Sequence, residues 1–267
     1  MQTNQELCPA CIGNPFQDPQ RRRELLHSCL TFSMVLLAVQ ALLLLLMITS
    51  NGMDSFTTNP AWGPSKATLL SWGALNADKV MHCAELWRLF TSLWLNAGLI
   101  QLGMNLFGIL RIGLFVEYRW RWMRYAAIYF LCGVAGGLLS LILQPASVSV
   151  CSSNALCGIV AAYTVEVMFT WYKTERFQRV VTLLICVMFL SGSVFFAIID
   201  PYIDNSAMFG SGVIGILLGC YYSLIESDFN LYIKTHVPNT ILVIVTCYFV
   251  VGVTVFYVLV PVPTKNQ

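Results

Sequence analysis

Side chains able to do acid–base, nucleophilic or metal chemistry are few in this chain of 267 residues. The histidines are His27, His82 and His236. Cys8-x-x-Cys11 has the spacing of half a zinc knuckle, yet no second pair follows at ligand distance. No metal and no cofactor is therefore expected, and an exposed thiol pair open to acylation is the plainer expectation. Cys29, Cys132, Cys186, Cys220 and Cys247 stand inside apolar runs, where a thiol acts as a small apolar side chain. Arg111 and Glu166 are the charges that interrupt apolar runs. Charges in such places are costly and are usually paired or functional.

Those groups must be held by elements that suit the composition. The chain is 57% hydrophobic and 10% charged, with a mean hydropathy of +0.71. Soluble domains carry roughly 25% charge. This much apolar surface implies an integral membrane protein built of helices. It excludes disorder, a coiled coil and a disulfide-stapled secreted domain. The net charge of +2 leaves no nucleic-acid footprint. Charge-free stretches predict spans near 28–48, 98–116, 125–144, 149–170, 180–199 and 205–225, and a seventh in 237–264. The break within the long run 125–165 falls at Gln144-Pro145-Ala146-Ser147, because proline cannot continue a helix interior. Arg21, Arg22 and Arg23 place the tail 1–27 in the cytosol. Arg119, Arg121 and Arg124, then Lys173, Arg176 and Arg179, then Lys234 fall on the same side. Lys66, Lys79, Arg88 and Lys265 fall on the other, with a C-terminus outside. No cleavable signal and no mitochondrial presequence is expected. A secretory-pathway membrane is favoured, and a mitochondrial inner membrane stays compatible. The loop 49–97 carries Trp62, Trp72, Trp87, Leu86, Leu89 and Phe90, so it is expected to lie in the interface.

From Trp72 to Gly219 the chain resembles the rhomboid superfamily of intramembrane serine proteases. The motifs come in order: Trp72-Gly73-Ala74-Leu75-Asn76, Trp87-Arg88, Asn105, Glu117, Cys151-Ser152-Ser153-Asn154-Ala155, and the glycines Gly210, Gly215 and Gly219. The resemblance implies an all-α, polytopic membrane helix bundle with a rhomboid-like six-span core in 28–225. Residues 226–267 then hold a linker, a seventh span and a short tail.

The same resemblance implies site roles. Ser153 takes the place of the nucleophile. The catalytic His position is Met208, and a thioether cannot accept a hydroxyl proton. Asn105 and Gln101 fall at oxyanion-type positions, Gln101 replacing a His. Cys157 replaces an aromatic ring one turn below Ser153. His27 and His236 belong to the opposite membrane side, about 30 Å away, and His82 is not expected to come within reach of Ser153. The expectation is a catalytically degenerate pseudoprotease that binds transmembrane clients in the bilayer, for trafficking, quality control or scaffolding. The competing reading is an active serine-type endopeptidase with a non-standard base. A transporter or receptor fits the ordered motifs poorly. The oligomeric state is open. Trp87, Arg88, Glu117 and the three glycines are expected to be structural, and the small residues Gly133, Gly137, Ser211, Gly215 and Gly219 to pack within one bundle. Arg111 lies about 15 Å below Gln101 and Glu166 about 20 Å below Ser153 at 1.5 Å per residue. On neighbouring parallel spans, the two are expected to pair.

Overall fold

A computed structural model describes residues 31–172, 176–199, 204–226 and 231–260. The tail with Cys8, Cys11, Arg21–Arg23 and His27, together with Lys173 and Lys265, lies outside the described residues. The chain forms α1 (Phe32–Asn51), α2 (Lys66–Ser71), α3 (Ala77–His82), α4 (Arg88–Thr91), α5 (Leu99–Gly108), a π-helical turn (Ile109–Gly113), α6 (Leu114–Leu143), α7 (Ser152–Phe169), α8 (Arg176–Ile199), α9 (Asn205–Glu226) and α10 (Leu231–Leu259). Among the described residues the extended pairing is a single bridge between Leu75 and Ser149. Phe32–Asn51, Leu99–Leu143, Ser152–Phe169, Asn205–Glu226 and Ile233–Leu259 are long and apolar enough to cross a bilayer. Arg179–Phe195 in α8 is a shorter apolar stretch. The molecule is a polytopic helical bundle.

The helical run of 45 residues from Leu99 to Leu143 is not one rod. Arg121 has φ 67° and ψ 154°, a backbone state essentially reserved for glycine. The chain doubles back there. Tyr125 brings its hydroxyl to within 3.0 Å of a methyl built on Gly113, and Tyr129 donates to the Leu93 carbonyl at 2.9 Å. In a straight helix, positions 113 and 125 would stand about 18 Å apart. The connection expected over 117–124 is thus a one-residue reversal. Its arginines and tryptophans are adequate helix formers, with no Gly or Pro to end the helix on either side.

Glu117 explains how α1 joins this hairpin. Its carboxylate accepts the backbone N–H groups of Phe32 at 2.6 Å and Ser33 at 2.7 Å, while Thr31 caps Met34 at 3.3 Å. These are orphan donors of the first helical turn. Gly52 closes the other end with φ 77° and an N–H bonded to Ile48.

α7 is the axis of the bundle, with 78% of its span buried. α9 runs parallel to it in close contact. A methyl on Gly215 would lie 2.3 Å from the Gly158 carbonyl oxygen, and one on Gly219 would lie 2.7 Å from that of Ala162. Gly136 of α6 meets Ser211 and Ala207 in the same way. Gly133 faces Leu93 and Ala155, and Gly137 faces Leu75 and Leu89. The small residues therefore let helices of one bundle approach. Gly210 sits between Leu139 and the Tyr248 hydroxyl, which itself bonds the Ala135 carbonyl at 2.8 Å and seats α10 on α6.

The loop between α1 and α5 is folded around Arg88. Its guanidinium donates to Leu70 O at 2.7 Å and Ala74 O at 2.9 Å and pairs with Glu85 at 2.5 Å. Trp87, Leu86, Phe90, Phe56 and Trp62 are exposed around this anchor. Such a face suits the headgroup layer.

One expected pair does not form. Glu166 is buried and accepts hydrogen bonds from Arg119 and Trp120, not from Arg111. The reversal at Arg121 brings Arg119 and Trp120 to the end of α7. Arg111 lies about 12 Å short of Arg119 along its helix, and its side chain is exposed on the π-turn.

Candidate functional site

The N-terminus of α7 and one face of α5 build the site. Cys151 N bonds Ser92 O at 2.9 Å, and the helix starts with Ser152, Ser153 and Asn154, all buried. Gln101 and Asn105 stand four residues apart on α5 and so share a face. The Ala97 N–H donates to Gln101 Oε1 at 2.5 Å. That bond fixes the amide, so Gln101 Nε2 donates to Ser153 Oγ at 3.0 Å. Asn105 Nδ2 donates to Ser152 Oγ at 3.1 Å and to Asn96 Oδ1 at 2.8 Å. Ser152 Oγ also donates to Asn96 Oδ1, at 2.9 Å. The network continues through Asn96 Nδ2 to Gln40 Oε1 at 3.4 Å and from Gln40 Nε2 to the Tyr129 hydroxyl at 3.2 Å. It joins α1, α5, α6 and α7 through buried polar groups, which rigidify when satisfied.

Chemically, this site is closed on itself. The Gln101 and Asn105 amides are both spent on serine hydroxyls. Ser153 Oγ accepts a hydrogen bond, and among the described residues it donates none. Activation of a serine needs the opposite, an acceptor for its proton.

The level of Met208 is set by register. Gly215 lies on Gly158 and Gly219 on Ala162, a constant offset that puts Met208 level with Cys151 at the head of α7. Met208 is buried there and offers a thioether. His82 is exposed at the end of α3, and His236 is exposed on α10. Cys157 is buried one turn below Ser153.

Three site residues were not picked out by sequence reasoning. Asp204 precedes α9, is buried, and donates no proton but accepts from Ser206 N and Oγ at 2.7 and 2.6 Å. Its Oδ2 has no partner among the described residues, and its charge reaches Cys151. A carboxylate one turn before Met208 was the available signal. Asn96 and Gln40 carried no signal, because a polar residue near a span end is ordinary. Asn154 is fully buried, and its amide has no hydrogen-bond partner among the described residues.

A family model described as Rhomboid domain matches residues 83–227. "RHOMBOID-like protein 1" of Arabidopsis thaliana is 33% identical over 68% of this chain and 46% of its own length. "Rhomboid-like protease 3" of Toxoplasma gondii is 33% identical over 61% of each chain. "Inactive RHOMBOID-like protein 8" of Arabidopsis thaliana is 32% identical over 59% of this chain and 44% of its own. The chain thus spans about half the length of such relatives, whose names include both a protease and an inactive protein.

Proposed function

The chain belongs to the rhomboid family, and on that premise we propose that it is a pseudoprotease, which binds transmembrane clients in the bilayer without cleaving them. One observation carries this reading: Met208, the residue that the resemblance assigns to the base position, is a buried thioether, while Gln101 donates to Ser153. A general base contributes typically 10²–10⁴-fold to such a reaction. The client seat is the seam between α5 and α8. There α8 meets α5 through Gly192 near Met104 and Phe189 near Gly108. The protein acts in trafficking, quality control or scaffolding of membrane proteins, with its N-terminus in the cytosol and in a secretory-pathway membrane.

The test is a cleavage assay on the full chain in detergent with a fluorescent transmembrane substrate. Wild type is expected to be inert and unlabelled by a fluorophosphonate. Cleavage that is lost in Ser153→Ala overturns the reading. Activity gained by Met208→His shows that the remaining scaffold is competent. A second reading, an active protease with a non-standard base, is favoured by Asp204, whose free carboxylate oxygen is buried one turn before Met208. It requires that wild type cleaves and that Asp204→Asn abolishes cleavage.

A further inference from the structure

Arg111 is a charge within an apolar span that the described bundle leaves unused. It stands on the π-helical turn Ile109–Gly113, exposed, and forms no ion pair or hydrogen bond among the described residues. Five of the described acids make contacts elsewhere. Glu117 caps α1, Glu166 holds Arg119 and Trp120, Glu85 holds Arg88, Glu226 holds Arg124, and Asp204 caps Ser206. The depth of Arg111 matters as much as its isolation. It lies about 15 Å along the helix from both Gln101 and the reversal at Arg121, inside the apolar part of its span. An unpaired arginine at such a depth is costly. Widened single turns of this kind interrupt a regular helix and are frequent at functional sites.

Its direction follows from spacing. Met104, Gly108 and Arg111 are separated by four and three residues, and Phe107 by four from Arg111, so they lie on one side of α5 and of the π-helical turn that continues it. Gly192 of α8 touches this ridge at Met104, and Phe189 touches it at Gly108. Phe107, Leu110 and Arg111 are exposed, and the same antiparallel register puts them level with the exposed Leu184, Val187 and Met188 of α8. The flank is apolar apart from one cation.

We propose that Arg111 is a client-recognition residue: it pairs with a carboxylate carried by the transmembrane segment of another protein docked against the α5–α8 seam. The inference rests on the client-binding reading and narrows the client to one with Asp or Glu near mid-membrane. The complementarity is direct. The seam supplies the apolar contact that any transmembrane helix finds, and Arg111 supplies the term that distinguishes an acidic segment from a neutral one. Two donors of a guanidinium match a carboxylate in a planar, two-point contact. Each partner would otherwise sit uncompensated in hydrocarbon, so the pair discriminates by relieving both costs at once.

The test uses the full chain in nanodiscs and synthetic transmembrane helices of leucine and alanine that carry Glu, Gln or Lys at mid-length, with binding read by energy transfer. Wild type is expected to bind the Glu helix about tenfold more tightly than the Gln helix, which equals about 1.4 kcal/mol. Arg111→Gln is expected to abolish that preference while leaving Gln-helix binding and thermal stability unchanged. Arg111→Glu is expected to transfer the preference to the Lys helix. Equal binding of Glu and Gln helices by wild type overturns the proposal and leaves client binding standing. Binding of none of the helices overturns client binding itself, and the proposal with it. If Arg111→Gln instead weakens capture of phosphatidylglycerol while helix preference is unaltered, the residue serves a lipid headgroup and the proposal fails.

Discussion

At the scale of single residues, the site is decided by which way each hydrogen bond points. Gln101 cannot turn its carbonyl to Ser153, because the Ala97 N–H holds that oxygen at 2.5 Å. The serine is thereby an acceptor with its own proton unclaimed. Charge at the opposite end of the bundle follows the same logic of partner choice. Glu166 is buried and needs donors, and Arg119 and Trp120 supply them. A double-mutant cycle of Arg119→Ala with Glu166→Ala is expected to show coupling of about 1–3 kcal/mol in thermal or denaturant unfolding. The cycle of Arg111→Ala with Glu166→Ala is expected to be additive. Coupling in the second cycle and none in the first would contradict the contacts described. Opposite sign and similar depth suggested the Arg111 pair. The nearer arginine prevailed because a hairpin turn, invisible in the residue pattern, carries it to the carboxylate.

At the scale of elements, the reversal within α6 is the feature that positions most of the rest. Arg121 takes up backbone angles that cost an L-residue about 1–3 kcal/mol, yet the helices on either side are held by Glu117 on α1 and by Tyr125 and Tyr129 against α5 and the preceding loop. Replacing Arg121 by glycine removes the strain, and the exposed arginine side chain has no partner to lose among the described residues. The variant is expected to unfold a few degrees above wild type, a gain of about 1 kcal/mol; a lower midpoint would show that the turn is not strained. Reversal by one residue also explains why the arginines stay at one level. Arg124 lies between the rings of Trp120 and Tyr222, at 4.8 and 4.0 Å from their centroids, and pairs with Glu226 at 2.5 Å. That contact ties the turn to the end of α9.

At the scale of the whole molecule, burial falls off from a central pair of helices to a peripheral one. α7 is 78% buried over its span and α10 is 17% buried. The ranking predicts unequal tolerance. Gly215→Val drives a branched side chain into the Gly158 backbone and is expected to cost about 3 kcal/mol or more. Removal of α10 takes away its contacts with α6 and α9, made through Tyr248, Gly252 and the buried Ile241, Val245 and Phe256, and because most of this helix is exposed it is expected to lower the unfolding midpoint by less. Thermal unfolding of the two variants in the same detergent compares them directly; a truncated chain less stable than Gly215→Val would place α10 in the core.

Much of this protein is fixed by local chemistry and so was legible in the order of its residues. A bilayer demands long apolar helices whose backbone bonds are internal, and the charge-free runs mark them. Pro145 marks a break, and the ordered motifs from Trp72 to Gly219 identify the family and point to Ser153, Met208, Gln101 and Asn105. Other properties depend on which helix ends meet. The spending of both amides on Ser152 and Ser153, the approach of Asp204 to the head of α7, and the exchange of Arg111 for Arg119 as the partner of Glu166 all arise from contacts between residues far apart in the chain. Hydrogen bonds and ion pairs are set within a few ångströms, whereas sequence spacing fixes depth only to about a helical turn. The tertiary structure supplied that last ångström scale, and with it the difference between a serine poised to react and a serine held as an acceptor.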